Sequence, residues 1–176
     1  VHTLVLGGIR SGKSQWAETA LAAEAADTQP MRYLATGPSP ADDLEWAARV
    51  TAHRERRQDR WTTIETSDVA TQLRTEAIAT LVDDVGSWLT AAMDRSGAWT
   101  GGSIAADIDD LLGAVDGFAA PLTLVSPEVG LTVVPATDAG RRFADELGTL
   151  NQRLAALCDR VVLVIAGQPL AVKEPA

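Results

Sequence analysis

Gly7-Gly8-Ile9-Arg10-Ser11-Gly12-Lys13-Ser14 satisfies the pattern G-x-x-x-x-G-K-[ST] in full, and its setting constrains this chain more than any other feature. The apolar run Thr3–Leu6 precedes it, and an Ala-, Glu- and Leu-rich stretch from Ser14 to Ala26 follows. Strand, glycine turn and helix in that order open an α/β domain. The glycines let the backbone curl until successive N–H groups face one anionic centre, and the helix adds the positive end of its dipole. In such a loop Lys13 reaches the β- and γ-phosphates of a nucleotide, and the Ser14 hydroxyl takes one position on Mg²⁺. The plainer alternative is a glycine turn that binds nothing. Arg10 either contacts phosphate or stands in solvent.

The remaining chain alternates strand and helix signals. Strands are predicted over Met31–Ala35, Trp61–Glu65, Ala77–Val82, Leu122–Ser126 and Val161–Ala166. Helices are predicted from about Asp42 to Arg57, Asp68 to Thr75, Ser87 to Met93, Ile104 to Phe118 and Gly140 to Cys158. The last of these carries Phe143, Leu147, Leu150, Leu154 and Leu157 on one stripe. The stretch from Pro127 to Ala139 reads as irregular, and only a short tail is expected after Gly167. Apolar strands separated by helices imply a three-layer α/β fold with a mainly parallel central sheet. At 176 residues the chain is expected to form one nucleotide-binding catalytic domain. Ligands on such sheets sit at the carboxyl ends of the strands, where Gly7, Thr36, Asp83 and Ser126 gather. Asp83 is the predicted second anchor for Mg²⁺. Its neighbour Asp84 competes for that place, and a solvated strand-end pair is the alternative.

A second cluster is Arg49-Val50-Thr51-Ala52-His53-Arg54-Glu55-Arg56-Arg57. On a helix, Arg49, His53 and Arg57 share one face, with Arg56 and Arg60 beside it. Five arginines within twelve residues form a local basic patch in a chain whose net charge is −9. Positive neighbours favour the neutral imidazole that a nucleophile requires, and they stabilise charge on phosphoryl oxygens. The competing reading is a solvated helix face with intrahelical ion pairs. The acidic balance argues against broad affinity for nucleic acid or anionic membrane. The single cysteine, Cys158, excludes an intrachain disulfide and reads as a small buried hydrophobe. No apolar run is long enough for a membrane span, and the N-terminus lacks the marks of a secretory signal, so a cytoplasmic protein is expected.

Taken together, the loop GGIRSGKS, then AHRERR, then W-x-T-x-E at Trp61–Glu65, EVG at Glu128–Gly130 and NQRLA at Asn151–Ala155 resemble one family. It is the bifunctional adenosylcobinamide kinase / adenosylcobinamide-phosphate guanylyltransferase family of cobalamin synthesis. The similarity runs in order from Leu4 to Lys173. It implies a RecA-type P-loop fold, assembly as a trimer, and two reactions at one nucleotide site. In the first, the γ-phosphoryl group of ATP or GTP passes to the aminopropanol hydroxyl of adenosylcobinamide. In the second, GMP from GTP passes through a histidine onto adenosylcobinamide phosphate, releasing pyrophosphate and giving adenosylcobinamide-GDP. The resemblance places the histidine at His53. It places further nucleotide contacts at Ala35, Thr36, Gly37, Arg54, Glu55, Arg56, Arg57, Glu65 and Asp83.

Several positions depart from the family pattern. Asp84-Val85-Gly86-Ser87-Trp88 follows the strand-end acid where Cys-Leu-Thr and a Trp are usual, and Ser126-Pro127-Glu128 lacks the usual central Asn. Glu128 either orients substrate or is a solvated loop acid. Trp16, Trp46, Trp61, Trp88 and Trp99 read mostly as core or subunit contacts, with a corrinoid platform expected of one or two at most. His2 reads as inert. Two other classes compete: a single-activity P-loop kinase of a small metabolite, which assigns His53 to a solvated face, and a nucleotide switch without turnover. Label from the α-phosphate of GTP separates the first reading from both.

Overall fold

The computed structural model describes residues 1–25, 28–37 and 60–175. His53, Arg54, Glu55, Arg56 and Arg57, with the helix predicted from Asp42 to Arg57, lie outside the described residues. Seven strands form one sheet: β1 (His2–Gly7), β2 (Met31–Ala35), β3 (Trp61–Glu65), β4 (Ala79–Asp83), β5 (Leu122–Pro127), β6 (Arg160–Ile165) and β7 (Gln168–Lys173). Their order is β3-β2-β4-β5-β1-β6-β7. Every pairing is parallel except that of β6 with β7.

The central strands are apolar on both faces because helices cover both. On one face α1 (Lys13–Glu24) packs through Ala17 and Leu21 against Val5, Tyr33, Leu81, Val125 and Val164. On the other lie α2 (Val69–Thr75), α3 (Val85–Ser96), α4 (Ala105–Asp116) and α5 (Asp138–Leu157), packed against Leu4, Leu34, Val82 and Leu124. Three layers result, as the alternating pattern implies. The helix starts are set by side-chain caps: Asp68 accepts from the Thr71 N–H, Asp84 from Ser87 and Thr137 from Gly140. Leu147, Leu150 and Leu154 form the buried stripe of α5. Among the described residues, no helix is long and apolar enough to cross a membrane.

In place of a short tail after Gly167, the chain turns back as β7 and pairs antiparallel with β6, Ile165 opposite Gln168. The two connecting residues, Ala166 (φ 50°) and Gly167 (φ 76°), both have positive φ, as a tight hairpin requires. Ala166 is an unusual residue there, and Pro169 is tolerated because β7 is an edge strand. Lys173 fastens the strand, its Nζ donating to the carbonyls of Ala155 (3.0 Å) and Cys158 (2.6 Å) at the carboxyl end of α5. Elsewhere the differences are of boundary: β4 starts later than predicted and includes Asp83, and α3 extends beyond Ser87–Met93 at both ends.

Candidate nucleotide site

The carboxyl edge of the sheet is where the predicted residues meet. Gly7 ends β1, Ala35 ends β2, Glu65 ends β3 and Asp83 ends β4. Ala35 is in register with both Glu65 and Asp83, and Gly7 with Pro127. The Thr36 N–H donates to the Asp83 carbonyl (3.1 Å), and the Thr36 hydroxyl donates to the Asp84 carbonyl (2.5 Å). Four strand spacings separate Glu65 from Gly7, a span of roughly 19 Å at about 4.8 Å each.

The loop between β1 and α1 has the geometry its sequence demands. A Cβ on Gly7 would lie 2.5 Å from Ser11 Oγ and 2.9 Å from the Val164 carbonyl oxygen, so only glycine fits. Gly12 has φ +90°, and a Cβ there would meet the Gly167 Cα at 3.1 Å. A Cβ on Gly8 would meet nothing within 4 Å. The loop is braced from two directions: Glu128 N–H donates to the Gly7 carbonyl (3.1 Å), and Gly167 N–H to that of Ser11 (2.7 Å). Gly12 begins α1 without a capping side chain, while Ser11 Oγ accepts from the Lys13 N–H at 3.4 Å. First-turn amides at such a helix start present positive charge to an anion. Lys13 Nζ folds over the loop to the Gly8 carbonyl at 3.3 Å. Ile9 and Arg10 are exposed at the tip, whereas Ser11 is buried.

Asp83 and Asp84 part company here. Asp84 Oδ1 accepts from the Ser87 N–H at 2.6 Å and is occupied as the cap of α3. Asp83 is at the strand end beside Thr36, and its Oδ2 accepts from the Tyr33 hydroxyl at 2.5 Å. Among the described residues no group of three or more His, Cys, Asp and Glu is arranged to hold a metal ion. A preformed cage is therefore absent there, but Mg²⁺ rarely uses one. It takes hard oxygen donors, one or two carboxylates completed by phosphates and water, and the Ser14 hydroxyl with the Asp83 carboxylate is a set of that kind.

Some predicted residues lie elsewhere. Arg60 is not at this edge: its carbonyl accepts from Met31 N–H at the start of β2, and its guanidinium reaches the Ala22 carbonyl (3.5 Å) near the far end of α1. It belongs to the opposite edge of the parallel sheet. His2 is also at that opposite edge, bonded to the Phe118 carbonyl. Cys158 is buried, and burial pushes its thiol up to about 12. Trp88 belongs to the core on the α2–α5 face of the sheet, Trp16 and Trp61 pack against the core on the α1 face, and Trp99 stacks on Phe143 with centroids 6.5 Å apart. Trp46 lies outside the described residues.

Two elements of the site carry no role in the sequence reading. One is Tyr33. The other is Asn151 on α5, whose Oδ1 accepts from the buried Ser126 hydroxyl (2.6 Å) and whose Nδ2 donates to the Pro127 carbonyl (3.0 Å). Asn151 thereby ties down the end of β5, the strand that separates the phosphate loop from Asp83. Beside it a cleft of about 590 Å³ opens between α5 and the segment 128–135, with Glu128, Val133 and Val134 on its wall.

Comparison with known proteins completes the assignment. A family model described as cobinamide kinase / cobinamide phosphate guanyltransferase matches residues 3–172. The bifunctional adenosylcobalamin biosynthesis protein CobP of Pseudomonas aeruginosa is 39% identical over 182 residues, covering 99% of both chains. The corresponding CobU proteins of Salmonella typhimurium and Escherichia coli are 35% and 32% identical, each over 97% of this chain and 98% of their own. Among solved structures, a type III secretion ATPase aligns with TM-score 0.57 at 12% identity, over 97% of this chain and 56% of its own. The flagellar accessory protein FlaH of Methanocaldococcus jannaschii aligns with TM-score 0.54 at 10% identity, over 99% and 78%. These two likenesses concern the fold alone, which is RecA-like. With a phosphate loop and strand-end acid on that fold, and near full-length similarity in sequence, the chain belongs to the cobinamide kinase / cobinamide phosphate guanyltransferase family and is a bifunctional kinase and guanylyltransferase.

Proposed function

We propose that the carboxyl edge of the sheet is a single nucleotide site used for two successive transfers in adenosylcobalamin biosynthesis. The observation that carries this reading is the convergence of Gly7–Ser14, Ala35–Thr36, Glu65 and Asp83 on that edge. In the first transfer the aminopropanol hydroxyl of adenosylcobinamide attacks the γ-phosphorus of ATP or GTP. Its proton leaves, the bond from γ-phosphorus to the bridging oxygen breaks, and a nucleoside diphosphate departs. In the second, a nitrogen of neutral His53 attacks the α-phosphorus of GTP, and pyrophosphate leaves. An oxygen of adenosylcobinamide phosphate then attacks that phosphorus, the N–P bond breaks, and adenosylcobinamide-GDP forms with the imidazole restored.

The chain's own groups divide the work. The loop amides and the amino end of α1 bind the phosphates, and Lys13 offsets charge on the β- and γ-phosphoryl oxygens. Ala35, Thr36, Gly37 and Glu65 extend the site along the edge toward the nucleoside. Arg54, Glu55, Arg56 and Arg57 accompany His53 at the α-phosphate. Ser14 and Asp83 are the ligands that would hold Mg²⁺, which when bound neutralises phosphate charge. The exposed Leu131, Val133 and Val134 support assembly as a trimer, because clustered apolar side chains mark contact surfaces. The chain acts as one catalytic domain in the cytoplasm, where its nucleotides are found.

GTP labelled at the α-phosphate tests the reading. Wild-type protein is expected to take up one label that is stable to alkali and lost in acid, as an N–P bond is. His53→Ala takes up none but still phosphorylates adenosylcobinamide, and Lys13→Ala loses both reactions. Absence of label on the wild type, or its persistence on His53→Ala, overturns the nucleophile assignment. Guanylylation surviving in Lys13→Ala argues for two separate nucleotide sites.

A further inference from the structure

Tyr33 stands in β2 with its side chain on the α1 face, in a cluster otherwise built from Val5, Ala17, Leu21, Met31, Leu81 and similar apolar groups. It is 5% exposed, and its ring meets Trp61 edge to face with centroids 6.3 Å apart at 72°. Packing alone would be served by phenylalanine. A buried hydroxyl is costly unless it is hydrogen-bonded, so its partner explains its presence. The hydroxyl donates to Asp83 Oδ2, at 2.5 Å. The register accounts for the contact: Tyr33 is opposite Leu81 and Ala35 opposite Asp83, so Tyr33 and Asp83 are diagonal neighbours on one face, within reach of a long aromatic side chain.

We propose that Tyr33 is a positioning residue which acts through Asp83: its hydroxyl locks the carboxylate in the orientation that receives the cation accompanying the nucleotide's phosphates. The inference rests on the reading of Asp83 as the metal carboxylate. A charge-assisted O–H···O⁻ bond to a rigid ring restrains the rotation of a carboxylate about its Cβ–Cγ bond. The ring cannot follow a wandering carboxylate, because Trp61 and the α1 face hold it. Groups that orient metal ligands in this way typically change metal affinity 10–100-fold when removed. The effect is therefore confined to the metal-dependent part of nucleotide affinity, and the loop's own grip on phosphate stays as it was.

The experiment measures by calorimetry the affinity for α,β-methylene-GTP, which cannot give up its GMP, in EDTA and in saturating Mg²⁺. Wild type, Tyr33→Phe, Asp83→Asn and the double variant are compared. Tyr33→Phe is expected to match wild type in EDTA and to lose about tenfold of the affinity that Mg²⁺ adds. Asp83→Asn loses that gain entirely, and the double variant is no weaker than Asp83→Asn. Three results overturn the proposal while leaving the nucleotide site intact. They are a full Mg²⁺ gain in Tyr33→Phe, an equal loss in EDTA and in Mg²⁺, which marks a packing effect, and additive losses in the double variant. A full Mg²⁺ gain in Asp83→Asn instead removes the metal assignment itself, and the proposal with it.

Discussion

Replacing Asn151 by alanine tests whether the end of β5 is held as the geometry indicates. Ser126 is fully buried and Asn151 is 7% exposed, so water is a poor substitute for either partner. The substitution strips the Ser126 hydroxyl of its acceptor and the Pro127 carbonyl of its donor. A buried polar group left unsatisfied costs about 1–3 kcal/mol, and Pro127 is only half-buried, so the pair should cost about 2–4 kcal/mol. That is a large share of a typical domain stability of about 5–15 kcal/mol. Ser126→Ala costs less, about 1–2 kcal/mol, because Asn151 keeps its bond to Pro127. The double variant has no orphaned hydroxyl, so its loss should fall short of the sum of the two by about 1 kcal/mol or more. Urea denaturation followed by tryptophan fluorescence gives all three values. Nucleotide affinity should weaken along with stability, since β5 spaces the phosphate loop from Asp83. A loss below about 0.5 kcal/mol for Asn151→Ala, or strict additivity in the double variant, refutes the reasoning.

Gly12→Ala forces a side chain into φ +90° against the Gly167 backbone, and nucleotide affinity should fall about 5- to 30-fold, since left-handed strain is about 1–2 kcal/mol. An unchanged dissociation constant in a fluorescence titration counts against the loop geometry. Cys158 should resist alkylation at neutral pH in the native protein and react once urea unfolds it, because burial holds its pKa near 12. That pKa lies above the ordinary 9.0, so the contribution to stability is whole below about pH 9 and declines as pH rises toward 12. In Cys158→Ala, denaturation curves at alkaline pH should lack this component. Lys173→Met keeps the aliphatic stem but loses the bonds to Ala155 and Cys158, and a drop in Tm of about 2–4 °C is expected by calorimetry.

The phosphate loop and the parallel sheet were legible because each depends on local rules. Gly7 and Gly12 are where a Cβ clashes or φ is positive, and the central strands are mainly apolar because both faces are covered. Strand β7 was hidden for an equally local reason: Ala166 occupies a positive-φ turn position where Asn, Asp or Gly would have announced a hairpin, and Pro169 resembles a strand breaker. The choice between Asp83 and Asp84 was not legible, since two adjacent carboxylates are separated only by which of them caps α3. Arg60 was grouped with the arginines around His53 by nearness in sequence, whereas it immediately precedes β3 and so lies at the amino edge of the sheet. The Tyr33–Asp83 and Ser126–Asn151 contacts were not legible because the partners are 50 and 25 residues apart in sequence, and only the register of β2 with β4 and the docking of α5 bring them together.

The hairpin turn at Ala166–Gly167 ties the two chain regions farthest apart in sequence to one pocket. Its amide holds the Ser11 carbonyl, and its backbone walls off the space beside Gly12. During synthesis, then, a nascent chain carrying residues 1–150 already possesses the whole binding motif yet lacks one of the two braces that shape it, the Gly167 amide. Competence to capture nucleotide should emerge late on the ribosome, when residue 167 clears the exit tunnel, rather than when the motif itself does.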